Sequence, residues 1–439
     1  MASSSRRAVL TGIGLVTPLG ADVASFAEAL RQGRSGVRRI QSFDPSGLPT
    51  QFGGEILGFD ARQYLDKKDR KRLNQMVRTI QLAVAGAQLA LADSAVDKRQ
   101  LDPTRFGVAY GAGTLPSELE ELGPAARISA NCQPGTIDLH KWGEEGMPNI
   151  PPMFMLNHVP NMVACHVSIL HNAQGPNNTI TQTDVAGLLA LGEAFRIIGR
   201  DRADIFLVGG ADTMINPISM VRQCLFRPLS RRNGAPEKAS RPFDRRRDGQ
   251  VPGEGAGVLV LEELEHARRR GARIYAEVVG FGAAFDRSGD KAIRGHGAAP
   301  FPPAGHGLAR AIRTALAEAG IVPEDVDHVN AQGYSTVESD AWEARGLQEV
   351  FGACRRAVPV FAAKSYFGNL GAGSSTTELA ASLMALREGM VPATLNYEES
   401  DPACPVAVTR TAQPVHHAYA LKVAFTEMGQ CAAVVVRKG

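Results

Sequence analysis

Three side chains set the chemical question in this chain of 439 residues. Asp184 lies in the stretch Thr183-Asp184-Val185-Ala186, between a strand pattern over 178–183 and an apolar helical pattern over 184–199. A carboxylate there can cap the first-turn amides of the helix. It could also act as a nucleophile toward a carbonyl. Gln332 lies in Asn330-Ala331-Gln332-Gly333-Tyr334-Ser335-Thr336, and Asn369 follows Gly368 soon after Lys364-Ser365. Their carboxamides can donate hydrogen bonds to a carbonyl or an enolate. Neither can act as an imidazole acid or base near neutral pH.

Other chemistry-bearing residues carry less. The six cysteines at 132, 165, 224, 354, 404 and 431 form no CxxC pair and read as reduced thiols. His416-His417 and the pair His158 and His166 have no companions at a metal-ligand spacing, so neither metal nor cofactor is expected. Pro252-Gly253-Glu254-Gly255-Ala256-Gly257 lacks the order of a phosphate-binding loop, and its glycines fit tight sheet packing. The run Arg245-Arg246-Arg247, flanked by Asp244 and Asp248, reads as solvated or ion-paired, ahead of a docking face for an acidic partner.

Positioning these residues calls for alternating strands and helices. The pattern predicts a strand over 7–10, a Gly-rich turn and a helix near 21–32. A helix follows over 74–93 and a strand over 106–110 that ends at Gly111 and Gly113. A strand over 204–208 should stop at Gly209-Gly210, and a polar loop over 227–254 should lead into a strand over 257–261. The second half repeats this grammar: strands over 274–279, 326–330 and 358–362 alternate with helices over 307–319, 338–351 and 375–387, and strands over 418–425 and 432–437 close the chain. The expectation is an α/β fold in two related halves, residues 1–265 and 266–439.

Several stretches resemble one family, the β-ketoacyl-ACP synthases, and its elongating type II enzymes in particular. They are RRAVLTGIGLVTPLG at 6–20, the segment 175–212, the block 227–282, VNAQGYSTVESDAWEARGL at 329–347 and KSYFGNLGAGSS at 364–375. The resemblance implies a thiolase-like duplicated five-layer αβαβα fold and a two-fold dimer. It also implies an acyl tunnel reached by the phosphopantetheine arm of an acyl carrier protein. In that family the strand-to-helix turn carries a nucleophilic Cys, and this chain resembles it with Asp184 in that place. The family's two catalytic His positions resemble Gln332 and Asn369 here, so all three catalytic residues are expected to be replaced. The family's Phe-Gly-Phe-Gly-Gly gating loop corresponds to Phe425-Thr426-Glu427-Met428-Gly429, which keeps only the outer residues. Lys364, Asp340 and Glu343 match the family's structural Lys and acidic residues. Lys364 is expected to pair with Asp340 or Glu343, and Asp184, Gln332, Asn369 and Lys364 to form a hydrogen-bonded polar plug.

Composition narrows the function classes. The chain is 44% hydrophobic and 21% charged, with a net charge of +3, which excludes a disordered chain and gives no sign of a nucleic-acid partner. The N-terminal apolar stretch carries two Thr, three Gly and a Pro, unlike a signal peptide, and no stretch is long enough for a membrane span. A cytoplasmic protein is expected. Within the family, a kept fold without the Cys resembles the chain-length factor, the β-subunit of type II polyketide or fatty-acid-like synthases. Such a subunit pairs with an active ketosynthase and shapes the acyl tunnel. Two alternatives stand beside it. One is a homodimeric enzyme of altered acyl chemistry, by malonyl decarboxylation or by non-covalent acyl transfer or condensation. The other is a non-catalytic protein that binds acyl groups or acyl carriers.

Overall fold

The computed structural model describes residues 6–131, 133, 135–286 and 305–439. Cys132 lies outside the described residues.

Eleven strands form the main sheet system: β1 (Ala8–Val16), β2 (Phe106–Ala112), β3 (Asn177–Ile180), β4 (Ile205–Thr213), β5 (Glu254–Glu263), β6 (Ala276–Phe285), β7 (Val326–Asn330), β8 (Pro359–Phe361), β9 (Ala407–Val408), β10 (Tyr419–Phe425) and β11 (Gln430–Lys438). Their spatial order is β9-β8-β7-β10-β11-β6-β1-β5-β4-β2-β3. The first five strands run third-second-fourth-fifth-first, with the fifth antiparallel to both neighbours. The strands β6, β7, β8, β10 and β11 repeat that order and that polarity. An order this particular, occurring twice, is the mark of a duplicated fold. The halves meet where β1 and β6 pair over Ala8–Val278, Val9–Glu277 and Leu10–Ala276.

Strands β1, β4 and β5 are buried along their whole length, so they read as continuous apolar or small-residue runs instead of alternating ones. Helix α1 (Arg78–Ser94) covers the outer face of the first sheet through β1, β4 and β5. Helices α2 (Ala186–Gly199) and α5 (Ser374–Glu388) form the middle layer, each touching strands of both halves. Helices α3 (His306–Ala319) and α4 (Val337–Phe351) form the outer layer of the second half, with α3 on β6 and β11. The result is a thiolase-like five-layer αβαβα arrangement with a core on each side of each sheet.

Two expected turns are strand instead. β1 continues through Gly12 and Gly14 to Val16, because at Gly14 a Cβ would lie 1.9 Å from the Gly86 carbonyl of α1. β4 continues through Gly209-Gly210, where a Cβ on Gly210 would lie 2.0 Å from the Ala372 carbonyl. The glycines let layers approach and do not end the strands. Helices Leu119–Ile128, Met162–His171 and Pro217–Phe226 lie outside the elements that the sequence pattern predicts. Leu119–Ile128 carries an internal Pro124, and Met162–His171 is apolar on most sides, so neither shows a clean helical stripe. Among the described residues, no helix is long and apolar enough to cross a membrane, and no group of His, Cys, Asp and Glu could hold a metal ion.

Candidate functional site

Asp184 sits on the 3-10 turn Thr183–Val185 that links the segment after β3 to α2. Thr183 has φ 45°, a left-handed conformation that a β-branched residue adopts only under constraint. The strand before the turn ends at Ile180, and the helix begins at Ala186, later than the expected start at Asp184. Asp184 is therefore not the cap. The cap positions Gln182 and Val185 make no side-chain cap bond, and the Leu188 amide instead donates to Ser375 Oγ at 3.1 Å. The Asp184 side chain is 7% exposed, and its Oδ1 has no hydrogen-bond partner.

Gln332 lies just beyond β7, in a loop held by two carboxylates of α4. The amides of Gln332 and Gly333 donate to Glu343 at 2.6 and 2.8 Å. Asp340 accepts from the amides of Ser335 at 3.0 Å and Phe243 at 2.8 Å, with Arg247 Nε at 3.5 Å. Burial raises the Asp340 carboxyl to about 6 against the pull of Arg247, and burial raises Glu343 as well. The Gln332 side chain is fully buried, and neither Nε2 nor Oε1 makes a hydrogen bond of good geometry. The neighbouring Tyr334 hydroxyl, close enough to feel the amide, donates to the Phe425 carbonyl at 2.9 Å.

The expected pairing of Lys364 with Asp340 or Glu343 is not what forms. Lys364 pairs with Glu378 on α5, and Lys422 on β10 approaches the other Glu378 oxygen at 2.5 Å. Lys422 also donates to the Ala331 carbonyl at 2.9 Å, and burial lowers its pKa. Asp340 and Glu343 are occupied by loop amides, which leaves the lysines to the carboxylate on the middle-layer helix. Glu378, a charge among the buried residues of α5, is the one acidic residue in the apolar and small-residue run TTELAAS.

Asn369 is committed to its own turn. Its Oδ1 accepts from Ser374 Oγ at 2.9 Å and the Gly371 amide at 3.1 Å, and its Nδ2 donates to Gln250 Oε1 at 3.2 Å. No side-chain hydrogen bond joins any two of Asp184, Gln332, Asn369 and Lys364, so the expected hydrogen-bonded plug is absent. Behind the turn lies Asp212, which accepts from the Ala372 amide at 3.3 Å. Burial raises it to about 7, and the charge of Asp184 adds to the rise.

The segment 425–429 closes the β10–β11 hairpin. Phe425 is buried, edge-on to Tyr334 with centroids 5.4 Å apart and 4.6 Å from the Trp342 ring. Thr426 and Gln430 pair through backbone and side chain, Glu427 pairs with Arg227, and Met428 is exposed. Arg227 completes the site. Burial works against its charge, but Glu427, Tyr334 and Asp184 outweigh burial and raise its pKa. Tyr334 is held neutral by burial first and then by the charges of Asp184 and Glu427. Asp184, Tyr334, Arg227 and Glu427 therefore share one electrostatic environment, and Gln332 borders it through Tyr334. The turn of Asp184 also touches 371–373, which brings Asn369 to the same end of the middle layer. The Arg245-Arg246-Arg247 run is ion-paired, to Glu399, Glu398 and Asp401 respectively.

Comparison with known proteins places this arrangement. Residues 5–267 match the profile described as Beta-ketoacyl synthase, N-terminal domain, and residues 275–398 match Beta-ketoacyl synthase, C-terminal domain. The chain belongs to the β-ketoacyl synthase family. This β-ketoacyl synthase chain is 38% identical over 399 residues to the 3-oxoacyl-[acyl-carrier-protein] synthase 2 of Vibrio cholerae, covering 91% of this chain and 90% of that one. Among solved structures it resembles the ishigamide ketosynthase/chain length factor, with TM-score 0.84, 28% identity, 99% of this chain and 100% of that chain. It also resembles a chain of the structure described as a type II PKS acyl-carrier protein in complex with its ketosynthase bound to the hexaketide, with TM-score 0.79, 27% identity and the same coverage. Within this β-ketoacyl synthase framework, Asp184 Oδ1 and the Gln332 carboxamide are buried without a hydrogen bond of good geometry, whereas the side chains of Asn369 and Lys364 are paired.

Proposed function

We propose that this β-ketoacyl synthase chain is a catalytically degenerate, chain-length-factor-type subunit that pairs with an active ketosynthase and shapes an acyl or polyketide tunnel. In this reading Asp184, Gln332 and Asn369 occupy the family's three catalytic positions, and an acyl carrier protein delivers the growing chain. The observation that carries it is the state of that site. Among the described residues the positions 184, 332 and 369 carry a carboxylate and two carboxamides, and the carboxamide on the 369 turn is consumed by Ser374, Gly371 and Gln250. A condensing site needs a nucleophile that stores the chain and a group that moves protons near neutral pH. The likeness to a ketosynthase/chain length factor supports the reading, and the likeness to an acyl-carrier complex supports the carrier as partner.

The replaced gating segment fits a subunit that does not open for its own turnover: Glu427 is tied to Arg227, and Phe425 is packed against Trp342. We take residues 1–265 and 266–439 as its two halves and the cytoplasm as its place of work. The test is co-expression with a ketosynthase of the same source that keeps its Cys and both His. Stable one-to-one co-purification, and a change in product length when tunnel-lining residues of this chain are altered, are the expected results. A stable homodimer, beside a ketosynthase fully active without it, sinks the reading. Turnover by the isolated chain that Asp184→Ala abolishes would favour the altered enzyme instead.

A further inference from the structure

A cleft of about 700 Å³ lies between helix Val23–Gln32 and α5, and none of Asp184, Gln332 and Asn369 lines it. Its walls include Ala27 and Leu30 on the first helix, Met384 and Ala385 on α5, and Tyr366, all of them buried. The Tyr366 hydroxyl donates to the Ala393 carbonyl at 2.9 Å, with the Leu30 carbonyl at 3.2 Å, so one side chain pins two walls. A preformed apolar cavity of this size with a few polar groups at its rim is the usual setting for a small-molecule ligand.

The rim of this cleft is negative. Both helices end beside it, at Gly33 with φ 64° and Gly389 with φ 77°. Each such terminus carries about half an elementary negative charge. Glu388, the last residue of α5, adds a full charge where a cation is the favoured residue. Its contact with Arg31 Nε is 3.5 Å, long for a charge-assisted hydrogen bond, while Glu28 holds Arg31 at 2.7 Å. Arg387, in the same turn, lies over the Tyr275 ring, 5.8 Å from its centroid, and does not line the cleft.

We propose that this cleft binds a small amine with an aromatic body, its ammonium on Glu388 and its ring against the apolar walls. The ammonium completes the contact that Arg31 makes only at long range, and Arg31 stays with Glu28. The carbonyl ends of the two helices favour the same positive charge. Met384 and Met390, both lining the cleft, suit a flat ring, because thioether side chains adapt in shape and pack well on aromatic edges. The competing ligands fit worse. A carboxylate meets Glu28, Glu388 and two helix C-termini, with the exposed Arg31 as its counter-charge at the rim. A neutral ring of the same size gains the walls alone and leaves Glu388 as it was. The site stands apart from Asp184 and is independent of the proposed subunit function.

Calorimetric titration of the full chain, with any ketosynthase partner it carries, tests this. The probes are naphthylethylamine, naphthylethanol and naphthylpropionate, which share a ring and differ in head group. The amine should bind saturably, with Kd below about 1 mM, and about fivefold more tightly than either of the others. Glu388→Gln keeps the shape of the rim and removes its charge, and should bring amine and alcohol within about twofold. Ala385→Leu, checked by thermal melting, fills the cleft and should abolish binding of all three. Should that variant not fold, the exchange at the partly exposed Glu388 decides by itself. Equal affinities, tighter binding of the alcohol or the acid, or no saturable binding of the amine overturn the proposal. An amine preference that survives Glu388→Gln, or an affinity unchanged in folded Ala385→Leu, places the amine elsewhere and overturns it as well.

Discussion

Two buried polar regions lie side by side in this protein and are built to opposite rules. Lys364, Glu378 and Lys422 join α5, β10 and the segment at 364, and each charge has an opposite charge in contact. Asp184 and Gln332, equally hidden from solvent, leave polar atoms unmet. The first region holds the middle layer to the second sheet, and a lost partner there strands a charge in low dielectric. The second region carries the cost of unmet groups in the resting chain, which structure alone does not require. Charge matching therefore separates the network that ties the layers together from a pair of side chains whose polar atoms stay unmet.

The comparison breaks if the two regions respond alike to substitution. Glu378→Ala leaves two lysines buried without a counter-charge and should cost about 3–5 kcal/mol, read from the urea midpoint at constant m-value. Partial unfolding at neutral pH is the expected extreme, and a change under about 1 kcal/mol would contradict the role given to the network.

Proton linkage probes the border between the regions. Asp212 has a folded pKa of about 7, raised from its ordinary value by burial. The folded state then binds more protons than the unfolded state from about pH 4 up to 7, so stability falls as pH rises through that window. Asp340, raised to about 6, acts in the same direction over the lower part of it. Asp212→Asn should flatten the slope of unfolding free energy by up to about 1.4 kcal/mol per pH unit between pH 5 and 7. An unchanged slope in that variant would assign the titration elsewhere.

Gln332→Leu should move stability by only about 1 kcal/mol, and upward, because an apolar group of similar size replaces an unmatched amide. Loss on the scale of Glu378→Ala would show that Gln332 is structural after all. The smallest effect is expected at the hairpin. Arg227→Met removes a partly exposed pair with Glu427 and should cost about 0.5 kcal/mol globally. Its clearer signature is local, as faster amide exchange in 426–429, measured by hydrogen exchange.

Much of the site was legible in residue order. Asp184, Gln332, Asn369, Lys364, Asp340 and Glu343 all carry recognisable neighbours in sequence, and their elements were placed within a few residues. What sequence could not supply was pairing. Lys364 had three carboxylates to choose from, and the choice of Glu378 depends on α4 turning Asp340 and Glu343 toward loop amides. Asp184 looked like a helix cap because Asp favours that position, but the turn at Thr183 delays the helix to Ala186. Arg227 and Asp212 are distant from Asp184 in sequence and enter its field only through packing.

Residue types and their order by themselves determined the duplicated strand-helix grammar, the family, and a carboxylate at 184 with carboxamides at 332 and 369, because these depend on chemistry and periodicity along the chain. Tertiary structure alone decided which charges are matched and which polar atoms stay open. That is a matter of a few tenths of an ångström between elements far apart in sequence. Hydrogen bonds and buried ion pairs are short-ranged enough for such differences to select one partner from several.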